Sequence, residues 1–258
     1  MPTQIEAHVR SVTSEYAPPG WPRGVPVRNT TLTSAGGASA GGDGMFAVTV
    51  EHALSALTGL GVRDCVVRVA NEVPIFDGSA LPMVEAILDV SASARPSTLA
   101  AHRPIVLGRE VVVTDERTGA TIVGTPRERA GATYTYKATF PFPAIAPQTS
   151  GWEAGDAQAY ASRVAPARTF SFEPEAQAAK AAGLFAAFTA KDLLVLRTDG
   201  TPIDNTLRFP TECSRHKLLD LIGDCALIGR PLQADVTATG SGHALAHAFC
   251  RAVLATLR

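Results

Sequence analysis

Apolar positions recur with two different periods along this chain, and the changes of period mark its elements. In VEHALSALTGLG, Val50, Ala53, Leu54, Leu57 and Leu60 fall on one helix face, while Glu51, His52 and Ser55 lie away from it. Gly59 and Gly61 end that helix, since glycine takes the left-handed conformation of a helix stop without steric penalty. Ahead of it Met45–Val50 has β character, and after it CVVRV at 65–69 reads as a buried strand. Asp77-Gly78-Ser79 turns the chain, and the Ser79 hydroxyl can cap a helix running to Val90. Val106–Thr114 and Thr121–Gly124 flank the hairpin-like turn DERTGA. Tyr134, Tyr136, Ala138 and Phe140 alternate with Thr133, Thr135, Lys137 and Thr139, the two-residue period of a half-buried strand. Glu173–Phe188 is alanine-rich and helical, and Leu193–Leu196 is a short strand. A helix over 212–228 carries Leu218, Leu219, Leu221, Ile222 and Leu227 and stops at Gly229, and HALAHAFCRAVLATL forms a last helix after Gly242.

Strands and helices mix with antiparallel hairpins in this order, which predicts an α+β fold and not a doubly wound parallel sheet. Residues 17–44 are rich in Pro, Gly and Ser, and Ser34–Gly44 reads as a flexible loop. Ser, Ala and Pro cluster again over 91–104, which places a boundary between a first α+β domain, 1–100, and a second, 101–258.

Composition narrows the class. With 46% hydrophobic and 18% charged residues in 258, the chain can build a packed core and is not a disordered polymer. A net charge of −1 supplies no overall field to attract nucleic acid or an acidic membrane. Cys65, Cys213, Cys225 and Cys250 contain no CxxC pair, so they read as reduced thiols and not as a disulfide framework. The start has no basic region followed by an apolar stretch, and no apolar run reaches the roughly 18 residues of a membrane span. The expected location is cytoplasmic.

The chemistry-bearing groups gather in few places. His216, Asp220 and Asp224 are spaced i, i+4, i+8, which keeps them within about 80° of one another on one helical stripe. One imidazole and two carboxylates so placed can set two metal ligands side by side. On spacing alone, the same stripe is equally a solvated surface face with an i,i+4 pair. Glu51-His52 is not an HExxH pattern, and Glu51 also suits the positive end of a helix. His243 follows the turn Gly240-Ser241-Gly242, from which a side chain can reach a cleft or solvent. Thr169, in Ala167-Arg168-Thr169-Phe170, offers a hydroxyl to a developing oxyanion or a plain strand end. His8, His102 and His247 show no matching partners and read as structural or surface residues.

VEHALSALTGLG, VPIFDGSALP, ARTFSF, RHKLLDLIGD and SGHAL follow one another in one order. That order, over about Ile5 to Leu257, resembles the UDP-(3-O-acyl)-N-acetylglucosamine deacetylases, the zinc hydrolases of lipid A biosynthesis. The resemblance implies two domains, each a layer of β-sheet packed on a layer of helices, with the metal between them. It implies Zn²⁺, or Fe²⁺, on His52, His216 and Asp220, with a fourth position left for water. It assigns the general base to Glu51, the second catalytic histidine to His243, and the carboxylate that orients it to Asp224. It assigns an oxyanion hydroxyl to Thr169 and substrate contacts to Lys217 and Phe170. The implied reaction is metal-dependent hydrolysis of the N-acetyl amide of an amino sugar, by default the UDP-linked lipid A precursor, in the cytoplasm.

The sequence departs from the family pattern at several points. The glycine-rich GVGLH segment of a typical member has no counterpart, which implies a smaller first sheet and a cleft more open on one side. Ala246 stands where members carry Asn, and GLFAAFTAKDLLVL lacks their paired glycines. These changes fall near substrate-contacting regions, so a relative acting on another N-acyl amino sugar, or a non-catalytic metal-binding relative, stays in competition. A two-metal phosphodiesterase does not, because no second set of carboxylate ligands is present.

Overall fold

A computed structural model describes residues 7–13, 28–33, 46–91, 102–184 and 189–257. The first half contributes strands β1 (Val12–Thr13), β2 (Thr31–Thr33) and β3 (Phe46–Ala47), joined antiparallel as a three-stranded sheet, and helices α1 (Glu51–Gly59) and α2 (Leu81–Ser91). The Ser79 hydroxyl accepts from the Leu81 N–H, and Asp77 in turn accepts from Ser79, so the turn starts α2 as its sequence predicts.

The second half is built on a larger mixed sheet. Its strands are β4 (Ile105–Val106), β5 (Val111–Asp115), β6 (Ala120–Thr125), β7 (Ala132–Ala138), β8 (Gln148–Glu153) and, later in the chain, β11 (Leu232–Thr239). Between β8 and β11 lie the short helix α3 (Ala157–Ala159), then β9 (Phe170–Phe172), α4 (Glu173–Ala181), β10 (Leu194–Leu196) and α5 (Glu212–Ala226), and α6 (His243–Ala255) closes the chain. The order across the sheet is β5-β6-β11-β7-β8, with β4 beside β11. β11 runs antiparallel to β6 but parallel to β7, and β9 and β10 form a separate parallel pair across α4. The fold is therefore mixed α+β.

Helices α5 and α6 cover one face of the large sheet, and α1 packs along α5. Alternation explains the sheet: Ala132, Tyr134, Tyr136 and Ala138 of β7 point into the core, as do Leu232, Ala234, Val236 and Ala238 of β11. Leu218, Leu219, Ile222, Phe249 and Val253 meet them from the helices, fully buried. Among the described residues, no helix is long and apolar enough to cross a membrane.

Several sequence expectations change. CVVRV at 65–69 is not a buried strand: it carries no ladder, and Val66 and Val67 are 64% and 53% exposed. An apolar run needs a neighbouring strand to satisfy its backbone, and none of the described strands lies beside it. The single strand expected over Val106–Thr114 is two, broken around Gly108, with β4 and β5 pairing different partners. The helix expected over Glu173–Phe188 ends at Ala181, and 185–188 lie outside the described residues. So do the loop Ser34–Gly44 and most of the boundary segment 91–104.

Candidate active site

The site forms where α1 lies against α5. Glu51, His52 and Ser55, the residues off the apolar face of α1, are the ones that become buried, so the polar face of this helix points inward and not to solvent. Close contact makes this possible. A Cβ built on Gly223 of α5 would stand 2.0 Å from the Glu51 carbonyl oxygen, and one on Gly59 would meet the Tyr160 ring at 2.3 Å. Gly223 thus lets α1 approach α5, while Gly59 seats α1 against Tyr160, which follows α3.

His216 and Asp220 rise from α5 at i, i+4 toward His52. The donor atoms of these three buried residues all lie within 4.8 Å of one another. Asp220 Oδ1 is 3.4 Å from His216 Nε2 and 3.6 Å from His52 Nε2, while its other oxygen accepts from Lys217 Nζ at 2.8 Å. Among the described residues, buried Asp220 Oδ1 has no hydrogen-bond partner. A buried carboxylate oxygen left unpaired is costly. Tetrahedral ligands on an ion at zinc distances stand about 3.3 Å apart, close to both separations. Two imidazoles and a carboxylate are also a donor set that suits a divalent transition metal. The residues present therefore fit a metal ion.

Neighbouring groups tune the trio. The Ala167 carbonyl accepts from His216 Nδ1 at 3.1 Å, which directs Nε2 toward Asp220. Burial pushes the His216 imidazole down to about 3, against the pull of Asp220, so the ring is neutral as a ligand must be. Arg168 and Glu212, both buried, hold the 167–170 stretch against the start of α5 by an Arg168 Nε to Glu212 Oε1 bond of 2.8 Å. This buried pair was not expected from the sequence.

Glu51 and His243 flank the trio. Burial raises the Glu51 carboxyl above its ordinary range, although His243 and His52 oppose this. His243 opens α6, and its Nδ1 lies 2.8 Å from Asp224 Oδ2. Burial acts to lower His243, but the charge and hydrogen bond of Asp224 win and lift it to about 9. Asp224 is correspondingly held down at about 2 despite its burial. The arrangement thus offers a carboxylate able to accept a proton and an imidazolium able to give one.

A cleft of about 380 Å³ opens on these groups. Glu51, His52, Thr169, Phe170, His216, Lys217, Asp220 and His243 all line it, so eight of the nine residues singled out from the sequence meet in one cavity. The ninth, Asp224, lies behind His243 and is 1% exposed. Ala246 is buried in the core.

A detected relationship matches this geometry. The family model for UDP-3-O-acyl N-acetylglycosamine deacetylase matches residues 25–255. The chain belongs to that family. Among its curated relatives, the UDP-3-O-acyl-N-acetylglucosamine deacetylase of Leptospira biflexa serovar Patoc is 32% identical over 233 residues, 89% of this chain and 74% of the relative. That of Anaeromyxobacter dehalogenans is 34% identical over 236 residues, 90% of this chain and 73% of the relative. That of an Anaeromyxobacter species is 37% identical over 208 residues, 80% and 66% of the two chains. The family is one of metal-dependent deacetylases, and the His52, His216 and Asp220 cluster gives this member a place for the ion.

Two site residues of this deacetylase-family chain escaped the sequence reading. His247, expected to be structural or surface, is buried with Nε2 3.3 Å from Asp224 Oδ1. Its i, i+4 spacing from His243 on the last helix was a usable signal. Thr30, just before β2, is buried and touches Glu51, Asp224 and His247. No local pattern marks it, since its partner Asp224 lies 194 positions away.

Proposed function

We propose that this chain hydrolyses the N-acetyl amide of UDP-(3-O-acyl)-N-acetylglucosamine, releasing acetate and an amino sugar in lipid A biosynthesis. The single observation that carries this reading is the buried Asp220 oxygen, without a hydrogen-bond partner among the described residues, facing two imidazoles between Glu51 and His243. His52, His216 and Asp220 would hold the ion, Zn²⁺ or Fe²⁺. A bound divalent ion would supply Lewis acidity, which polarises a carbonyl and lowers the pKa of water.

The remaining chemistry belongs to the chain. Glu51 accepts a proton from the attacking water, and burial, by raising its proton affinity, favours that transfer. Thr169, on the cleft wall, and protonated His243 donate toward the oxygen on which negative charge develops. His243 is also suited to return a proton to the leaving amine, and Asp224 keeps its ring charged and oriented. Lys217 places a positive charge in the cleft for an anionic substrate, and Phe170 gives an apolar wall against His216, with ring centroids 6.4 Å apart. The two-domain division near residue 100 and a cytoplasmic location accompany this reading as proposals.

The test is acetate release from UDP-(3-O-acyl)-N-acetylglucosamine, with simpler UDP-sugars and N-acetyl sugars alongside and metal content measured on the same sample. About one equivalent of zinc or iron and turnover of the acylated nucleotide are expected. Turnover of a simpler N-acetyl sugar instead would reassign the substrate, and a metal-loaded protein inactive on all of them would make it a binding relative.

A further inference from the structure

We infer that Thr30 is a positioning residue, one that sets Glu51 and the Asp224–His243 pair in register with each other. The inference rests on the proton-transfer roles proposed for Glu51 and His243. It is carried by the bonds that one buried residue makes. The Thr30 backbone N–H donates to Glu51 Oε2 at 2.9 Å, while its hydroxyl donates to Asp224 Oδ1 at 2.5 Å. Through backbone and side chain, a single residue therefore holds the proton acceptor and the carboxylate that orients the proton donor.

The direction of each bond follows from the groups. Ionised Asp224 can only accept, so the single hydroxyl proton of Thr30 goes to it. The hydroxyl oxygen is then left to accept from His247 Nε2 at 3.0 Å. Asp224 divides its oxygens: Oδ2 takes His243 and Oδ1 takes Thr30. Without the hydroxyl, Oδ1 would keep only His247, at 3.3 Å, and the carboxylate could turn about its Cβ–Cγ bond and carry His243 with it. The Thr30 carbonyl also accepts from the Val50 N–H at 3.2 Å, so the segment is tied to the chain on both sides of the Glu51 peptide. Thr30 does not line the cleft, so loss of its hydroxyl should leave substrate affinity alone.

The experiment compares Thr30→Val, which keeps shape and the backbone N–H, with Thr30→Ser, which keeps the hydroxyl. Thr30→Ala replaces the valine variant if that one does not fold. Expected is a loss in kcat of roughly ten- to hundredfold for Thr30→Val, the scale of a small misplacement of catalytic groups. KM and metal content should stay at wild-type values, and Thr30→Ser should recover most of the rate. An unchanged kcat in Thr30→Val, an equal loss in Thr30→Ser, or a loss that comes through KM or metal content would overturn the inference. If the metal-loaded wild type releases no acetate, the proposed function fails, and the downfield Nδ1–H proton resonance of His243 decides alone. A resonance shifted or lost in Thr30→Val and kept in Thr30→Ser upholds the positioning role, and one unchanged in Thr30→Val ends it.

Discussion

Glu51 and His243 face the same cleft with different protonation preferences, and that difference divides their work. Glu51→Ala should leave the His52, His216 and Asp220 set intact and retain metal, yet lower deacetylation by about 10²–10⁴ or more. Metal analysis and acetate release on one preparation check this, and a Glu51→Ala protein with near wild-type turnover would remove the base assignment. The pH profile tests His243. Its folded value of about 9 is raised, so the Asp224–His243 interaction contributes its full stability below the ordinary histidine value near ~6.5 and loses it as pH rises through about 9. Activity that needs the imidazolium should fall over the same alkaline range. Asp224→Asn removes the opposing charge and leaves burial to act, so its alkaline limb should move to lower pH. A limb in Asp224→Asn at or above that of the wild type would contradict the role of the pair. At this scale the sequence was legible where residues share a helix: the 216-220-224 stripe is visible in spacing alone. Thr30 was not, because only the tertiary fold brings it to Asp224.

The approach of α1 to α5 decides which helix face becomes the site. Periodicity located both helices and their ends, but of Glu51, His52 and Ser55 it said only that they lie away from the apolar face of α1. The structure buries all three: Glu51 and His52 lie beside α5, and Ser55 accepts from the buried Tyr160 hydroxyl at 2.8 Å. Apolar contrast cannot reveal a buried polar face, whereas the RHKLLDLIGD and VEHALSALTGLG motifs together imply it. Strand β11 shows the opposite failure. Its alternation is regular, but two of its inward residues are alanines, which weakens the signal, and it was not among the expected strands. Gly223 carries the helix contact. Gly223→Ala should force its methyl group into the Glu51 carbonyl, cost about 1–3 kcal/mol as overpacking, and shift Glu51 away from the metal ligands. Urea unfolding gives the first effect, and a drop in kcat larger than the loss of folded protein gives the second. A variant as stable and as active as the wild type would mean that the helices do not sit this close.

Across the whole molecule, the cluster joins distant parts of the chain: His52 comes from the first half, while His216 and Asp220 come from α5 in the second. An ion bound there would link the two halves in the folded state only, because the unfolded chain separates its ligands by more than 160 positions. Binding to the folded state alone adds stability by mass action, about 2.7 kcal/mol when free metal is a hundred times its Kd. For a chain of this size that corresponds to a rise in Tm of roughly 5–10 °C. Chelation should lower Tm by that amount, and added Zn²⁺ should restore it. In His216→Ala, the chelator should make no further difference, although the variant starts from its own lower or higher Tm. In Glu51→Ala, which leaves the three ligands in place, the chelator-sensitive shift should persist while activity is gone. That contrast separates metal binding from proton transfer in one thermal experiment. A wild-type Tm indifferent to chelator and Zn²⁺ would show that the cluster does not bind metal to stabilise the fold. The buried Asp220 oxygen would then need another partner to offset its desolvation.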